Sequence, residues 1–580
     1  MVRSVDNRRF SNTMQTHHLK ALPSRAHMAP PPAKAVVDFV YREVEHISDT
    51  LERKLGIWSV VIISLSAMLG SGLFVLPALA MLNLGGSGIW AAYLVAALVV
   101  LPGALSKAEL ATAMPISGGD YIYIERTYGP LFGTIAGLGL WASFLLKAAF
   151  ALIGFSAYLW VIEPLIGFKI NIQFAALGLL VFIVLINIIG VKIIKKIQAP
   201  IVSLSVVFLV GISIWAALTA EPDWSRPVSN GAFGGGWLSI AETAAFVFVS
   251  YAGVTKIAAV AEEVKMPEAN LPRGMIFSLL ISTILYCGIV FVMMATVDAN
   301  TFMSGDDARE DPIYVFANAV GGKTIGVIAA ILAILTMTSM ALAGIMAASR
   351  YPFAMARDNL LPEPLEDVHP KFETPHRAII GTGIAMGVAI LALPVQDVAK
   401  LASGFQIMVF VVINSCVIVM RMASRSHSSY NPKYFSPLYP FTQIIGILGG
   451  VLLIYVMGEK ALIGAAACSL LGIITYYTYG KSRAHLTLTP WRTVRTEFTS
   501  ADKHYREKCW LVFHQCCNKN HLDHLTIHEF IQAMEILAPH IEHLNARNIF
   551  HEIDTNGNGV INVDEFLASF DDGKMKQGEE

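Results

Sequence analysis

Charged side chains are scarce in this 580-residue chain: Asp, Glu, Lys and Arg make up only 15% of it, against about 25% in soluble proteins. The formal net charge is −1, so the composition offers no basic surface for nucleic acid, and we expect no nucleic-acid partner. Hydrophobic residues make up 55% of the chain. Polar residues gather before residue 57 and after residue 480, which leaves a long apolar region between them.

Three other features are missing. The six cysteines include no CxxC pair, so the sequence predicts neither a disulfide framework nor a CxxC zinc site. The N-terminus has no compact apolar core with a small-residue cleavage site, and we expect no cleaved signal peptide but an N-terminal tail over 1–50. The Asp, Glu and His residues form no nucleophile–base pattern, so we interpret the chain as a carrier rather than an enzyme.

What is present is a series of apolar segments long enough to cross a bilayer as helices. We predict an all-α integral membrane protein with twelve transmembrane helices, at 57–83, 88–112, 131–161, 171–190, 198–220, 238–262, 274–298, 323–348, 377–394, 399–421, 440–457 and 460–479. An even number places both termini on one side. The loops on that side hold fourteen Lys and Arg residues and the opposite loops hold six, which predicts cytoplasmic termini in a multi-pass protein of the plasma (inner) membrane.

The first segment contains Gly70-Ser71-Gly72, followed by Pro77. These residues disfavour a continuous helix. The sixth segment is interrupted in the same way around Gly253. Matched breaks in two halves of five segments indicate an inverted repeat with its binding site at the membrane midplane. The alternative is that small residues only allow close helix packing.

Four segments carry a resemblance to a known family. They are GSGLF at 70–74, 108–130 with the run AELATAMPISGGDYIY, AEEVKMP within 261–274, and ASRYPFAMARD at 348–358. Over 51–480 the chain resembles the amino acid–polyamine–organocation superfamily of permeases. The resemblance implies a five-plus-five inverted repeat with broken helices 1 and 6, two extra helices, and alternating access.

The break in the first segment suits the carboxylate of an amino acid. The N–H groups at Gly70, Ser71 and Gly72 begin a half-helix, whose dipole favours an anion, and Ser71 adds a hydroxyl donor. Carbonyl groups suit the ammonium, and we assign that role to Met68, Val249 and Ala252. The resemblance implies the same division of roles.

The side-chain pocket is predicted to lack a fixed negative charge. Relatives that take cationic substrates often have an acidic residue just after the glycine of the sixth segment, here Gly253, or in the third segment. The corresponding positions are Thr255 and Ser143. We therefore expect a neutral or small amino acid as substrate.

The coupling ion, H⁺ or Na⁺, stays open. Lys147 and Lys256 lie within apolar segments, where an ionisable side chain indicates a functional site by default. Either lysine can instead snorkel or bond to a carbonyl. Hydroxyls of Thr338 and Ser339 can ligate Na⁺ in relatives of this fold, although such hydroxyls more often bond to the i−4 carbonyl.

The polar end of the chain contains a twelve-residue calcium loop at 554–565, with flanks that fit helices. Its predicted Ca²⁺ ligands are Asp554, Asn556, Asn558, the Val560 carbonyl, Asn562 and Glu565, and Gly559 supplies the turn. An earlier loop at 518–529 has Asp523 in place of that glycine, and we expect it to bind calcium weakly or not at all. Cys516, Cys517, His521, His524 and His528, in or beside this loop, fit no zinc ligand spacing cleanly and are expected on the surface.

The predicted domains are the tail 1–50, the transport domain 51–480, a linker 481–505, an EF-hand pair over 506–572 and a tail 573–580. The predicted function is secondary active transport of amino acids across the bilayer, regulated by cytoplasmic Ca²⁺. Two alternatives are an amino-acid sensor that signals through the EF-hand tail and an inorganic ion cotransporter on the same fold. The sequence leaves the oligomeric state open.

Overall fold

The structure, a computed structural model, describes residues 55–114, 119–161, 163–166, 171–189, 191–255, 264–304, 307–372, 374–423, 430–483, 489–491, 501–518, 524–537, 549–551, 553–554 and 558–571. The predicted tails at 1–50 and 573–580 lie outside these ranges, as does most of the predicted linker.

The apolar region folds into helices, as its composition predicts. The first group comprises α1 (Ile57–Met68), α2 (Ser71–Phe74), α3 (Leu76–Leu84), α4 (Ile89–Ala113), α5 (Asp120–Tyr128), α6 (Pro130–Ala157), α7 (Glu163–Ile166), α8 (Ile172–Ile189), α9 (Val191–Thr219), α10 (Gly236–Val247) and α11 (Pro267–Thr296). The second group comprises α12 (Pro312–Arg357), α13 (His376–Ala392), α14 (Val395–Ala423), α15 (Phe441–Val456) and α16 (Glu459–Thr475).

Shorter elements complete this region. They are the 3₁₀ helices Leu159–Val161, Arg226–Val228, Asn230–Phe233, Phe248–Thr255, Ala299–Phe302 and Glu363–Leu365, the π-helix Tyr476–Gly480, and an antiparallel pair of strands, β1 (Met303–Ser304) and β2 (Asp307–Ala308).

Nine helices in the described part of the chain are long and apolar enough to cross a membrane. Three shorter apolar helices, α1, α13 and α15, accompany them. All-helical membrane architecture is therefore confirmed, while the count of twelve spans stays a prediction. The longest helix, α12, contains Gly322 with φ of 73°, a left-handed conformation that glycine adopts without steric cost. This kink lies next to residue 323, where the eighth span was expected to begin.

One buried carboxylate ties several helix ends together. Glu109 of α4 accepts hydrogen bonds from Nε and Nη2 of Arg421 in α14, at 2.8 and 2.6 Å. It also accepts from the hydroxyl of Tyr430 and from the backbone N–H of Ser436, at 2.7 and 2.8 Å. A fully buried carboxylate requires such partners, because desolvation destabilises a lone charge. This cluster fixes α4, α14 and the segment that leads to α15.

The C-terminal region has its own apolar core, built by α17 (Ala501–Asn518), α18 (Ile527–Leu537) and α19 (Val563–Asp571). Phe513, Phe530 and Phe566 are almost completely buried in it. Cys516 and Cys517 were expected on a loop surface, and that expectation was wrong: both are buried in this core. The reason is that α17 continues to Asn518 and carries them one turn beyond the buried Val512 and Phe513.

Candidate binding site at the broken helices

The first apolar segment breaks where the glycines predict. Helix α1 ends at Met68, and Leu69 has an extended ψ of 114°. Gly70 follows, and α2 begins at Ser71. The N–H groups of Leu73 and Phe74 both donate to the Gly70 carbonyl at 3.0 Å. The short helix lies inside the protein, and all four of its residues are buried.

The sixth segment breaks in a different way. Helix α10 ends at Val247 and continues as the 3₁₀ helix Phe248–Thr255, a tighter winding that often marks a hinge or functional position. This stretch holds Val249, Ala252 and Gly253, which are all described. The side chain of Thr255 and all of Lys256 lie outside the described part of the chain, so their predicted roles stay predictions.

The two breaks touch each other, and glycine permits this contact. A Cβ on Gly253 would lie 2.7 Å from the carbonyl carbon of Ala67 and from the backbone N of Met68. A Cβ on Gly72 would lie 2.9 Å from Cβ of Ser250. Real Cβ atoms do not approach backbone atoms as closely as 2.7 Å, so only glycine fits at position 253. The small residues thus serve close packing as well as breaking the helices.

Tyrosine hydroxyls bond to the carbonyls that the breaks release. Tyr286 of α11 donates to the carbonyl of Met68 at 2.6 Å and reaches that of Ser250 at 3.3 Å. Tyr93 of α4 donates to the Gly72 carbonyl at 2.6 Å, and Tyr158 donates to the Phe74 carbonyl at 2.6 Å. The Met68 carbonyl, assigned to the substrate's ammonium, therefore has a protein donor in this conformation.

The N–H end of the broken first helix faces a methionine. The Ser71 N–H donates to the Met340 sulfur of α12 at 3.4 Å, and the Ser71 hydroxyl lies 3.6 Å from the same atom. Met340 and Ser71 are both 2% exposed. A Cβ on Gly70 would lie 2.2 Å from this sulfur. The position predicted for a substrate carboxylate is thus occupied by a weak acceptor of the protein itself.

The carbonyl of Val249, also assigned to the ammonium, faces a lysine. Lys147 of α6 donates from Nζ to this oxygen at 2.8 Å. Lys147 and Met340 line one small cavity of about 10 Å³ together with Ala67, Phe144, Ala148 and Gly344, which is room for a single water molecule at most. The structure therefore brings Lys147 into the predicted site.

Ser143 lies one helical turn from Lys147 but faces another neighbour. Its hydroxyl donates to the carbonyl of Ala402 at 2.9 Å and lies 3.1 Å from Oε1 of Gln406, both in α14. Nearby, Ser403 donates to the Phe246 carbonyl and accepts from the Val249 N–H. Ser143 therefore contacts α14 rather than the broken helices, and its role in substrate choice stays a prediction.

Of the two hydroxyls proposed for sodium, that of Thr338 has a local partner. Thr338 donates to the carbonyl of Ile334 at 2.7 Å, the i−4 bond that was the structural alternative. The carbonyl of Ser339 accepts from Nε2 of Gln198 at 3.1 Å. A further pair of hydroxyls, Ser205 and Thr336, joins α9 to α12 at 2.6 Å.

The predicted calcium loop has the expected turn. Gly559 has φ of 79°, and the Asp554 carboxylate accepts from the N–H groups of Asn558 and Gly559 at 3.1 and 2.8 Å. Leu525 and Ile561, the eighth positions of the two loops, exchange two backbone hydrogen bonds of 2.8 Å.

Other ligand positions of the loop are only partly described. Asn562 accepts from the Glu565 N–H at 2.9 Å, and Val560 is placed, while Asn556 lies outside the described residues. Within the described ranges, no three His, Cys, Asp or Glu side chains converge to hold a metal. The loop would rely largely on amide and carbonyl oxygens, a donor set that fits calcium.

Sequence reasoning missed Met340 and the three tyrosines. A signal exists for the tyrosines, because a hydroxyl within an apolar span needs a partner. No sequence signal distinguishes Met340 from the other methionines of the core.

Comparisons with known proteins agree with this architecture. Residues 55–475 match the family model described as amino acid permease. The chain is 28% identical over 453 residues to the branched-chain amino acid permease BcaP of Bacillus subtilis (strain 168), covering 75% of this chain and 95% of that protein.

Two further relatives come from the same organism. The chain is 28% identical to its methylthioribose transporter over 459 residues, covering 76% and 96% of the two chains. It is 27% identical to its serine/threonine exchanger SteT over 465 residues, covering 76% and 100%. These relatives are transporters, so the expectation that the chain is not an enzyme is confirmed. The protein is a multi-pass membrane protein that belongs to the amino acid permease family.

Proposed function

We propose that this protein is a secondary transporter of neutral amino acids that works by alternating access. The observation that carries the proposal is the contact between the two helix breaks, at Gly72 against Ser250 and at Gly253 against Ala67 and Met68. The Ser71 N–H and the Val249 carbonyl belong to these two breaks. An amino acid carries a carboxylate and an ammonium on one carbon, and it needs one donor site and one acceptor site close together. Both lie in the protein interior, where each interaction is stronger than in water.

The proposed architecture is twelve spans in a five-plus-five inverted repeat, with the broken helices at equivalent positions of the two halves. The transport domain covers 51–480. Both termini are cytoplasmic, because Lys and Arg are more frequent in the loops on their side. Rocking of one helix bundle against another would open the site to each side in turn.

The proposed substrate class is neutral. Position 255 is threonine and position 143 is serine, so neither supplies a carboxylate for a cationic side chain. Two of the relatives are named for neutral amino acids: BcaP for branched-chain amino acids, and SteT for serine and threonine. The coupling ion is H⁺ or Na⁺, with Lys256, Lys147, Thr338 and Ser339 as the candidate residues.

Competition uptake in proteoliposomes tests the substrate class. Labelled leucine or alanine is expected to accumulate and to be displaced by unlabelled neutral amino acids. Arginine that outcompetes both would contradict the proposal. Replacing Na⁺ at fixed pH and then collapsing the pH gradient distinguishes the coupling ions. Counterflow of labelled substrate excludes a sensor without net flux, and amino-acid-independent ion flux would favour an inorganic ion cotransporter.

We further propose that the loop at 554–565 binds Ca²⁺ and that the EF-hand pair over 506–572 regulates transport. The glycine turn and the bonds between Leu525 and Ile561 support a paired-loop arrangement. The loop has two ligand carboxylates, Asp554 and Glu565, so we expect a dissociation constant of about 10⁻⁵ M or weaker.

A further inference from the structure

We propose that Lys147 and Met340 occupy the two polar subsites of the binding site in this conformation and that an amino acid must displace both. This inference rests on the proposed function and adds two residues that set affinity. The Lys147 amine donates to the Val249 carbonyl, where the substrate's ammonium would donate. The Met340 sulfur accepts from the Ser71 N–H, where the substrate's carboxylate would accept.

The two side chains act at one place although they come from different helices. Lys147 lies on α6 and Met340 on α12, and both line the same cavity. Its volume of about 10 Å³ is too small for any amino acid. The Ser71 N–H and the Val249 carbonyl therefore both have protein partners beside this cavity, and binding requires the cavity to expand.

The chemistry of the two residues suits a reversible role. Methionine has three rotatable bonds and fills irregular gaps, so its sulfur can leave the Ser71 N–H without a backbone change. Thioether sulfur is a weak acceptor, and a carboxylate forms a stronger, charge-assisted bond with the same donor. The lysine side chain ends in an amine, as the substrate does, and its stem is long and flexible. The two amines therefore replace each other as hydrogen-bond donors to the Val249 carbonyl.

The arrangement also gives the Ser71 N–H and the Val249 carbonyl protein partners in this conformation. A buried N–H or carbonyl without a partner destabilises the folded state. With Lys147 and Met340 in place, this conformation carries no such penalty at Ser71 or Val249. The protein can then change conformation without substrate, and the two side chains compete with the substrate for the same groups.

The test measures binding of leucine, isocaproate and isoamylamine to the purified full-length protein. Isocaproate is leucine without its amine, and isoamylamine is leucine without its carboxylate. Lys147→Met is expected to raise the affinity for leucine and isoamylamine about three- to tenfold, the equivalent of one net hydrogen bond. The affinity for isocaproate should not change. Met340→Ala is expected to raise the affinity for leucine and isocaproate and to leave the affinity for isoamylamine unchanged.

Met337→Leu is the matched control for the methionine. Met337 is buried in α12 and lies against Gly154 rather than Ser71, so all three affinities should stay within twofold of the parent. Lys147→Gln provides a second lysine variant if Lys147→Met does not fold, and it should shift the same two ligands by less.

Two results would overturn the inference. If Lys147→Met weakens the binding of all three ligands equally and lowers the melting temperature, then Lys147 only stabilises the broken helix. Unchanged ratios between leucine and its two analogues in both variants would show that neither side chain competes. A parent protein that binds neither leucine nor alanine would contradict the proposed function and remove both proposals.

Discussion

Lys107 and Asp120 form an ion pair of 2.6 Å whose side chains are 0% and 1% exposed. Lys107 lies near the end of α4 and Asp120 begins α5, so the pair joins these two helices. The Lys107 amine also lies 3.8 Å from the centre of the Phe410 ring in α14. Removing two charges from water is unfavourable, and each charge is tolerated here because the other is present.

Lys107→Met alone should destabilise the protein by about 3–5 kcal/mol, because it leaves a buried carboxylate without its partner. The double variant Lys107→Met, Asp120→Leu should recover most of that loss. Melting temperatures in detergent measure both effects. Lys460 pairs with Asp397 on the surface, where Lys460 is 71% exposed, so Lys460→Met should change stability by less than about 1 kcal/mol. Equal effects of the two lysine changes would contradict this interpretation.

Tyr286→Phe should weaken the contact between the two breaks. The change removes the hydroxyl that bonds to the carbonyls of Met68 and Ser250. The loss of this donor to two buried carbonyls should lower the free energy of unfolding by about 1–3 kcal/mol. We expect a lower melting temperature and slower leucine uptake. Tyr455, which is 76% exposed, gives the control Tyr455→Phe, which should change neither quantity. Parent-like uptake and stability in Tyr286→Phe would show that the bond is dispensable.

Gly253→Ala should abolish uptake. Its Cβ would lie within 2.7 Å of backbone atoms at Ala67 and Met68, and neither can move without separating the two breaks. Gly288→Ala is the matched control, because a Cβ at that exposed position of α11 meets nothing within 4 Å. Alanine also favours a helix over glycine by about 1 kcal/mol. Uptake that survives Gly253→Ala would mean that the breaks need not touch.

Glu565→Gln should abolish calcium binding by the full-length protein, because Glu565 supplies the last ligand position of the loop. Equilibrium binding of ⁴⁵Ca²⁺ measures this. Glu529→Gln, the same change in the degenerate loop, should leave binding unchanged. Removal of calcium with a chelator should alter the uptake rate of the parent and not that of Glu565→Gln. A calcium response that persists in Glu565→Gln would exclude this loop as the regulator.

The sequence by itself determined the helical membrane architecture and both helix breaks, because apolar length and glycine content act locally. Gly70 stands two residues after the end of α1, and Gly253 lies within the 3₁₀ helix Phe248–Thr255 that follows α10. The four segments that resemble the permease superfamily also predicted the family, and the match of residues 55–475 to the amino acid permease model confirmed it. The turn at Gly559 follows equally from local chemistry, since only glycine adopts its φ freely.

The tertiary structure alone decided which groups meet at the breaks. Lys147 is 102 residues from Val249, and Met340 is 269 residues from Ser71, so no local pattern relates either pair. Ser143 and Lys147 lie one turn apart on α6, yet one faces α14 and the other faces the breaks. Which side of a helix meets which neighbour depends on how whole helices pack, and sequence periodicity gives only the faces, not their partners.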